Sequence, residues 1–268
     1  MMIYVDASCS EAAQRYYKWI IEHVNVCTIE EAEVIVVLGG DGYMLTALHR
    51  INAQFNREGK LRWNGAIYGI NCGTVGFLMN AIDYDDIPNL MNRIENATIT
   101  KLHPLKLEAT QTNGNQHTLI AINEVTLMRQ THQTCRLSIA INGVVRMNNL
   151  IGDGVLVATS AGSTAYNFSA HGPIIPLGIP LLALTPLNPF IPRHWRGAII
   201  PNTAEIVIEV EDVARRPVHV TADCTTIHDI RHVSIIEDMT TVFSLLFDAD
   251  HNLEQRILNV QFANEMAL

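Results

Sequence analysis

Hydrophobic and polar positions follow two different patterns along this chain, and the change comes near Ala97. In the first part, uninterrupted apolar runs such as Val34–Leu38 and Ala66–Ile70 are separated by segments with apolar residues at helical spacing. Apolar runs of that length predict strands that are buried on both faces. Strands that alternate with helices predict a parallel sheet, and ligands of such α/β proteins bind at the carboxyl ends of the strands.

The remaining elements of the first part follow the same rules. Met2–Val5 predicts a short buried strand, and Ser8 or Ser10 is placed to cap the helix that follows it. A second helix is predicted after Gly42, and a third at Ile87–Ile94.

Period-two alternation dominates from Lys101 to Val157 and predicts a series of antiparallel strands. Asn113-Gly114 and Asn142-Gly143 stand where tight hairpin turns would join them. Strand-like segments resume at Ala204–Val210 and Val218–Thr221.

Three segments follow from this change of pattern. We predict an α/β domain at residues 1–97, a β-rich domain at 98–245 and a C-terminal segment at 246–268. The last segment is expected to pack back on the first domain through a closing helix at Asn252–Phe262.

Composition narrows the class of protein. Of the 268 residues, 48% are hydrophobic and 17% are charged, which is typical of a well-packed globular protein. The formal net charge is −9 and no lysine or arginine run offsets it, so a nucleic-acid partner is disfavoured. No apolar run is long enough to span a bilayer, and the start of the chain lacks the features of a signal peptide. We therefore expect a cytoplasmic protein without a membrane partner.

Cysteine and histidine usage gives no metal signal. The five cysteines are widely spaced without a C-x-x-C pair, which favours reduced, mostly buried thiols over disulfides or a zinc site. The eleven histidines form no H-E-x-x-H pattern. We therefore predict that no residue of the chain holds a structural metal.

The turn Gly39-Gly40-Asp41-Gly42 directly follows a predicted strand. Glycines at such a turn let the backbone approach a ligand closely, and Asp41 is expected to project from the loop with little around it. A carboxylate in that position suits hydrogen bonding to a ribose hydroxyl and acceptance of its proton during phosphoryl transfer. The alternative is that Gly-Asp-Gly is only a tight turn.

A second Gly-Asp-Gly, at residues 152–154, precedes a strand and then the run Thr159–Tyr166, which is rich in small hydroxyl residues. Such a run offers hydrogen bonds while letting a planar ligand lie against the backbone, although a plain Ser/Thr-rich loop has the same composition. It lacks the G-x-S-x-G pattern, which disfavours a hydrolase triad.

Asn123 and Glu124 place an amide beside a carboxylate on the strand-like Leu119–Met128, a pair able to bind adenine edges and ribose hydroxyls. Neighbours on a strand face opposite sides, so their joint use requires a bulge or a strand end.

In combination, these motifs resemble the NAD kinase family in its usual order. The matching segments are Gly39-Gly40-Asp41-Gly42, Asn71-x-Gly73-x-x-Gly76-Phe77-Leu78, Asn123-Glu124, Gly152-Asp153-Gly154, Gly162-Ser163-Thr164-Ala165-Tyr166, Leu184-Thr185-Pro186 and Asp223. The resemblance runs from about residue 34 to about residue 225, and the combination is far more specific than any single motif.

The resemblance implies transfer of the terminal phosphoryl group of ATP, or of inorganic polyphosphate, to the 2′-hydroxyl of the adenosine ribose of NAD. It implies that Asp41 is the general base and a ribose ligand, that the glycines of its turn contact phosphate, and that Phe77 lies against the adenine. Asn123 and Glu124 would bind adenine and ribose groups.

For the rest of the chain, the resemblance implies that Asp153 serves the nicotinamide end of NAD. The residues implied to line the pocket between the two ends are Thr164, Ala165, Tyr166 and Ser169. Asn188 and Phe190 align with a stretch that can contribute from a neighbouring subunit. The resemblance also implies an α/β domain followed by a β-rich domain, a homo-oligomer such as a dimer or tetramer, and Mg²⁺ accompanying the donor phosphates.

Four positions depart from the family pattern. Tyr43 follows the glycine turn where a small residue is usual, and Ile151 stands where an arginine often precedes Gly-Asp. His171 replaces a glycine before Gly-Pro, and Cys224 replaces the glycine of an Asp-Gly pair. None of them touches the expected base.

Three other functions compete with this interpretation. A lipid or sugar-phosphate kinase can also carry a GGDG loop, but Asn123-Glu124 and Gly162–Tyr166 argue against it, and no basic amphipathic stretch suggests membrane docking. A dinucleotide sensor without catalysis is disfavoured by the intact Asp41. A dehydrogenase is disfavoured because no G-x-G-x-x-G follows the first strand.

Overall fold

The computed structural model describes residues 1–55, 63–73, 76–249 and 262, and divides the chain into two compact units. The first unit comprises Met1–Leu102 and the described residues from Thr241 on, and the second is His103–Thr240. The sequence-based boundaries put 98–102 and 241–245 in the second domain, whereas the contacts group them with the first. The predicted closing helix at 252–262 lies outside the described residues apart from Phe262.

The first unit is built on a five-stranded sheet with the order β1-β2-β3-β17-β4. Its strands are β1 (Ile3–Ala7), β2 (Val34–Gly39), β3 (Ala66–Asn71), β4 (Thr98–Leu102) and β17 (Phe243–Phe247). The first four strands in this order pair in parallel, and only β4 is antiparallel to its neighbour. All six residues of β2 are buried, as expected for an interior strand covered on both faces.

Three α-helices lie wholly within the described part of this unit: α1 (Glu11–His23), α2 (Asp41–Phe55) and α3 (Leu90–Asn96). Ser10 caps α1, because its Oγ accepts a 3.3 Å hydrogen bond from the Ala13 amide. The predicted helix at 87–94 is instead a 3₁₀ helix at Tyr84–Asn89 followed by α3. Pro88 lies inside this 3₁₀ helix, and it lacks the amide hydrogen that would donate to a carbonyl in an α-helix.

A buried polar network holds the returning strand β17 in the first sheet. The Tyr68 hydroxyl donates a 2.6 Å hydrogen bond to Asp248, whose other carboxylate oxygen pairs with Arg93 at 2.6 Å. Burial first, and then the neighbouring Asp248, raises the pKa of Tyr68, so the hydroxyl keeps its proton as a donor.

The second unit contains two six-stranded sheets with the orders β12-β11-β10-β7-β14-β15 and β6-β5-β16-β13-β8-β9. The strands are β5 (Leu105–Gln111), β6 (Gln116–Ala121), β7 (Glu124–Arg129), β8 (Cys135–Ile141), β9 (Val144–Gly152), β10 (Gly154–Ala158), β11 (Leu181–Leu187), β12 (Ala198–Pro201), β13 (Ile206–Val210), β14 (Val218–Ala222), β15 (Thr225–Ile227) and β16 (Ile230–Glu237). Alternate residues of both sheets form one apolar cluster. The pairings β5–β6 and β8–β9 confirm the two predicted hairpins.

Short helical elements and cysteines complete the description. A 3₁₀ turn at Gly162–Thr164 leads into α4 (Tyr166–Ser169). All five cysteines are free, but only Cys135 is fully buried, so the expectation of mostly buried thiols is wrong for Cys9 and Cys224, which are exposed. Among the described residues, none of the helices combines the length and the apolarity that a bilayer-spanning segment needs.

Candidate active site

The glycine turn joins β2 to α2 at the carboxyl edge of the first sheet. Gly39 ends β2 and Asp41 begins α2, so the turn itself is only Gly40. A Cβ added at Gly40 or Gly42 would meet nothing within 4 Å, and neither residue has a positive φ. Contacts within the chain therefore do not require glycine at these two positions. Their surroundings are open space at the start of a helix, where amide groups favour an anion.

Asp41 does not project from a loop with little around it, and that expectation is wrong. Its carboxylate oxygens accept hydrogen bonds of 2.7 Å from the Phe77 amide and 3.0 Å from the Leu78 amide. The physical reason is register: Gly39 pairs with Asn71, so the turns after β2 and β3 lie side by side. Gly76 is also close, because a Cβ there would lie 3.0 Å from Oδ1 of Asp41. The structure thus brings together Asp41 and Phe77, two of the predicted site residues.

Asn123 and Glu124 occupy a strand end. The predicted continuous strand at 119–128 is broken at residues 122–123, between β6 and β7. The Asp223 carboxylate causes the break by accepting the amides of Ile122 at 2.6 Å, Asn123 at 3.0 Å and Glu124 at 3.1 Å. Amides bound this way cannot pair with a neighbouring strand. The side chains of Asn123 and Glu124 therefore need not point to opposite faces, as they would in a regular strand.

Two polar atoms at this strand end are buried without a hydrogen-bond partner in the structure: Oδ1 of Asn123 and Oε2 of Glu124. Buried polar atoms are nearly always paired, so a pair of orphans on adjacent residues points to a missing ligand. Burial, and then the nearby charge of Asp223, raises the pKa of Glu124 to about 7. The pair therefore offers two acceptors when the carboxyl is ionised, and an acceptor beside a donor when it is protonated.

Asp153 lies between β9 and β10 and is held by two side chains. Its Oδ2 accepts a 2.9 Å hydrogen bond from Nδ2 of Asn188, and its Oδ1 pairs with Nε of Arg129 at 2.5 Å. The Asn188 hydrogen bond, followed by that of Arg129, lowers the pKa of Asp153. Two predicted site residues, Asp153 and Asn188, are thus in direct contact. β10 separates them from Glu124, since Ala158 is opposite Glu124 and Gly154 is opposite Met128.

The predicted lining residues lie on the 3₁₀ turn and α4. Thr164 and Ala165 are partly buried, whereas Tyr166 and Ser169 are exposed. The turn sits directly on the Asn123 segment, because a Cβ at Gly162 would lie 2.1 Å from the Asn123 carbonyl oxygen. Glycine is therefore required at 162 by close approach of two backbones.

Sequence reasoning missed the residues that hold this segment. The Ser163 hydroxyl donates to the carbonyl of Ser160 at 2.8 Å and accepts the Ile175 amide at 2.9 Å. Buried Asn167 accepts a 2.7 Å hydrogen bond from the Thr185 hydroxyl. Arg129 was also missed. Ser163 and Thr185 lie in segments that match the family pattern, but that pattern does not show which groups they contact.

The structure accounts for three of the four departures from the family pattern and gives no explanation for Ile151. His171 has φ +62°, so it adopts the left-handed conformation that a glycine would take more easily. Asp223 has φ +49°, whereas Cys224 is not among the positive-φ residues and its side chain is accommodated. Tyr43 packs beside Gly39, whose added Cβ would lie 2.7 Å from that of Tyr43.

Replacing His171 with glycine is expected to stabilise the protein. The side chain is exposed and its left-handed φ is unfavourable for a residue with a Cβ. Glycine also gives the unfolded chain more conformational entropy, which lowers stability. After this cost is subtracted, we expect a gain of about 0.5–1 kcal/mol in the free energy of unfolding. Urea unfolding would measure it. Asp212→Gly, at φ +56°, is the control and should gain less, because aspartate tolerates this conformation. An unchanged or lower stability for His171→Gly would contradict the explanation.

Comparison with known proteins agrees with the geometry. Residues 122–240 match the family described as the ATP-NAD kinase C-terminal domain. The NAD kinase of Xylella fastidiosa (strain Temecula1 / ATCC 700964) is 49% identical over 257 residues, covering 96% of this chain and 94% of that protein. The NAD kinase of Rhizobium meliloti (strain 1021) is 47% identical over 235 residues, covering 88% and 87%.

Solved structures show the same fold at lower identity. Yeast NADH kinase complexed with NADH matches with a TM-score of 0.80 and 20% identity, covering 100% of this chain and 89% of that one. An NAD kinase from Archaeoglobus fulgidus in complex with ATP matches with a TM-score of 0.73 and 22% identity, covering 97% and 98%. The predicted fold class is thereby confirmed. From the identity and coverage of its bacterial relatives, this chain belongs to the NAD kinase family.

Proposed function

We propose that this protein transfers the terminal phosphoryl group of ATP to the 2′-hydroxyl of the adenosine ribose of NAD, forming NADP and ADP. The relatives of highest identity given above are named NAD kinases, and similar folds bind NADH in one case and ATP in another. Inorganic polyphosphate is a second donor that we propose to test beside ATP.

The observation that carries this proposal is the orphaned pair on Asn123 and Glu124. Both unpartnered atoms, Oδ1 and Oε2, are buried and belong to adjacent residues. An adenine amino group and a ribose hydroxyl are donors of the kind these acceptors lack. A lipid or sugar-phosphate substrate carries no adenine amino group, so the pair favours an adenine nucleoside as the acceptor substrate.

In the proposed reaction, Asp41 is the general base. As the 2′-oxygen attacks the terminal phosphorus of the donor, the hydroxyl proton passes to the Asp41 carboxylate and the bond from phosphorus to the leaving ADP oxygen breaks. The Phe77 and Leu78 amides fix the orientation of that carboxylate. The open space at Gly40 and Gly42 would admit donor phosphate against the first turn of α2.

The other site residues are proposed to hold NAD. Phe77 would lie against the adenine, and Asp153, oriented by Asn188, would accept a hydrogen bond from the nicotinamide amide. The remaining residues proposed to line the pocket are Thr164, Ala165, Tyr166 and Ser169.

Mg²⁺ is proposed to accompany the donor. This ion typically keeps several waters and binds substrate phosphates, so the donor phosphates would supply its main ligands here. Within residues 1–55, 63–73 and 76–249, no group of three or more His, Cys, Asp or Glu side chains could hold a metal ion. When bound, the ion would reduce the repulsion between donor phosphates and the attacking oxygen. A homo-oligomer, either a dimer or a tetramer, and a cytoplasmic location also remain proposals.

The experiment incubates purified protein with Mg²⁺, either NAD or NADH, and either ATP or polyphosphate. The product is NADP from NAD and NADPH from NADH, and a cycling assay with a dehydrogenase specific for the NADP/NADPH couple detects both. NADP formed from NAD and ATP is the expected result, and the four combinations define donor and acceptor preference. Folded protein that binds NAD but forms no NADP with either donor would overturn the proposal in favour of a dinucleotide sensor.

A further inference from the structure

Tyr43, two residues after Asp41, is hydrogen-bonded to the first strand of the sheet. Its hydroxyl donates a 2.7 Å hydrogen bond to Oδ1 of Asp6, which lies on β1. The other oxygen of Asp6 pairs with Nη2 of Arg50, on the third turn of α2. Two turns of one helix thus reach the same carboxylate.

The contact is partly shielded from water. The Asp6 side chain is only 12% exposed and Tyr43 is partly buried. Burial, and then the hydrogen bond to Asp6, raises the pKa of Tyr43, so its hydroxyl remains a donor at neutral pH. A shielded hydrogen bond to a charged group is stronger and more directional than one in water.

The Tyr43 side chain also fills the space beside the glycine turn. A Cβ at Gly39 would lie 2.7 Å from Cβ and 2.9 Å from Cδ1 of Tyr43. The turn that carries Asp41 therefore cannot move toward this side without displacing the tyrosine. On the other side, the Asp41 carboxylate is held by the amides of Phe77 and Leu78.

We infer that Tyr43 is a positioning residue for phosphoryl transfer, because its hydrogen bond to Asp6 and its packing on Gly39 hold Asp41 at the distance that proton transfer requires. Asp6 and Arg50 complete this cluster. The inference rests on the proposed function, since it takes Asp41 as the base. A small displacement of a reacting group lowers the rate of the chemical step without an equal loss of substrate binding.

The first test is Tyr43→Phe, which removes one hydroxyl and keeps the ring. We expect kcat for NADP formation to fall about tenfold while KM for NAD stays within about twofold, the pattern of a misplaced base. Tyr16→Phe is the matched control, because the Tyr16 hydroxyl of the same unit also donates a 2.7 Å hydrogen bond, here to the Ile82 carbonyl. The control should lower thermal stability by a similar amount and leave kcat unchanged.

A second variant, Asp6→Asn, tests whether the effect of the Tyr43 hydroxyl depends on its hydrogen bond to Asp6. If Tyr43 and Asp6 act together, the double variant will lose less kcat than the product of the two single losses. The inference is overturned if the wild type is active and Tyr43→Phe keeps kcat within twofold, or if the two losses multiply. An inactive wild type would instead overturn the proposed function, and the positioning role with it.

Discussion

Replacing Asp41 with asparagine will lower kcat for NADP formation by about 10²–10⁴-fold, the contribution typical of a positioned general base. Asparagine keeps the shape but cannot accept the ribose proton. The fall in kcat should appear at every donor concentration, because filling the donor site does not replace a missing base. Steady-state kinetics with saturating NAD would measure it.

The asparagine also places an NH₂ group toward the amide hydrogens of Phe77 or Leu78, so folding must be checked. Thermal unfolding and calorimetric titration with NAD in the absence of donor would separate misfolding from lost chemistry. Asp85→Asn, an exposed carboxylate in the same unit, is the control and should keep full activity. A folded Asp41→Asn protein within tenfold of wild-type kcat would rule out Asp41 as the base.

Replacing Glu124 with glutamine will stabilise the protein without nucleotide at high pH but not at low pH. Burial raises the pKa of Glu124 from 4.5 to about 7, so the folded protein binds this proton more tightly than the unfolded chain does. The stability that the proton supplies is present below pH 4.5 and is lost as the pH rises to about 7. Glutamine has no proton to lose. We therefore expect an advantage for the variant of about 2 kcal/mol at pH 8 and close to none at pH 4.5.

Urea unfolding at these two pH values would measure the difference. Glu211→Gln, at an exposed glutamate of the same unit, is the control for the substitution itself. An advantage for Glu124→Gln that is equal at both pH values would contradict the assignment of a raised pKa.

The same substitution will weaken NAD binding. A hydrogen bond from a ribose hydroxyl to a buried carboxylate is charge-assisted and is stronger than one to a neutral amide. Loss of that charge should raise KM for NAD about tenfold or more at pH 8. If Glu124→Gln gains stability but loses NAD binding, the Glu124 carboxylate is a buried charge whose hydrogen-bond partner is supplied by the ligand.

Local patterns in the sequence predicted most of the elements that carry the site. The apolar run at Val34–Leu38 became the interior strand β2, and the two Asn-Gly pairs became hairpin turns. Periodicity succeeds here because it records which faces of one element are buried, and neighbouring residues decide that. The helix near residue 87 was less accurate, since Pro88 favoured a 3₁₀ turn that periodicity does not reveal.

Contacts between distant residues account for what the sequence did not reveal. The Asp41 carboxylate is held by amides 36 and 37 residues away, and the strand break at 122–123 is made by Asp223, about 100 residues away. Nothing near Asn123 in the sequence shows that its amide will bind a carboxylate rather than a strand.

The sequence by itself determined the alternation of strands and helices before residue 97, the place of the glycine turn and the family to which its motifs belong, because each depends on residue types at short spacing. Only the tertiary structure decided that the Asp41 carboxylate accepts hydrogen bonds from two backbone amides, and that Asn123 and Glu124 keep unpartnered buried atoms. Hydrogen-bond partners and burial depend on which strands become neighbours, and the register of Gly39 with Asn71 is a property of the assembled sheet.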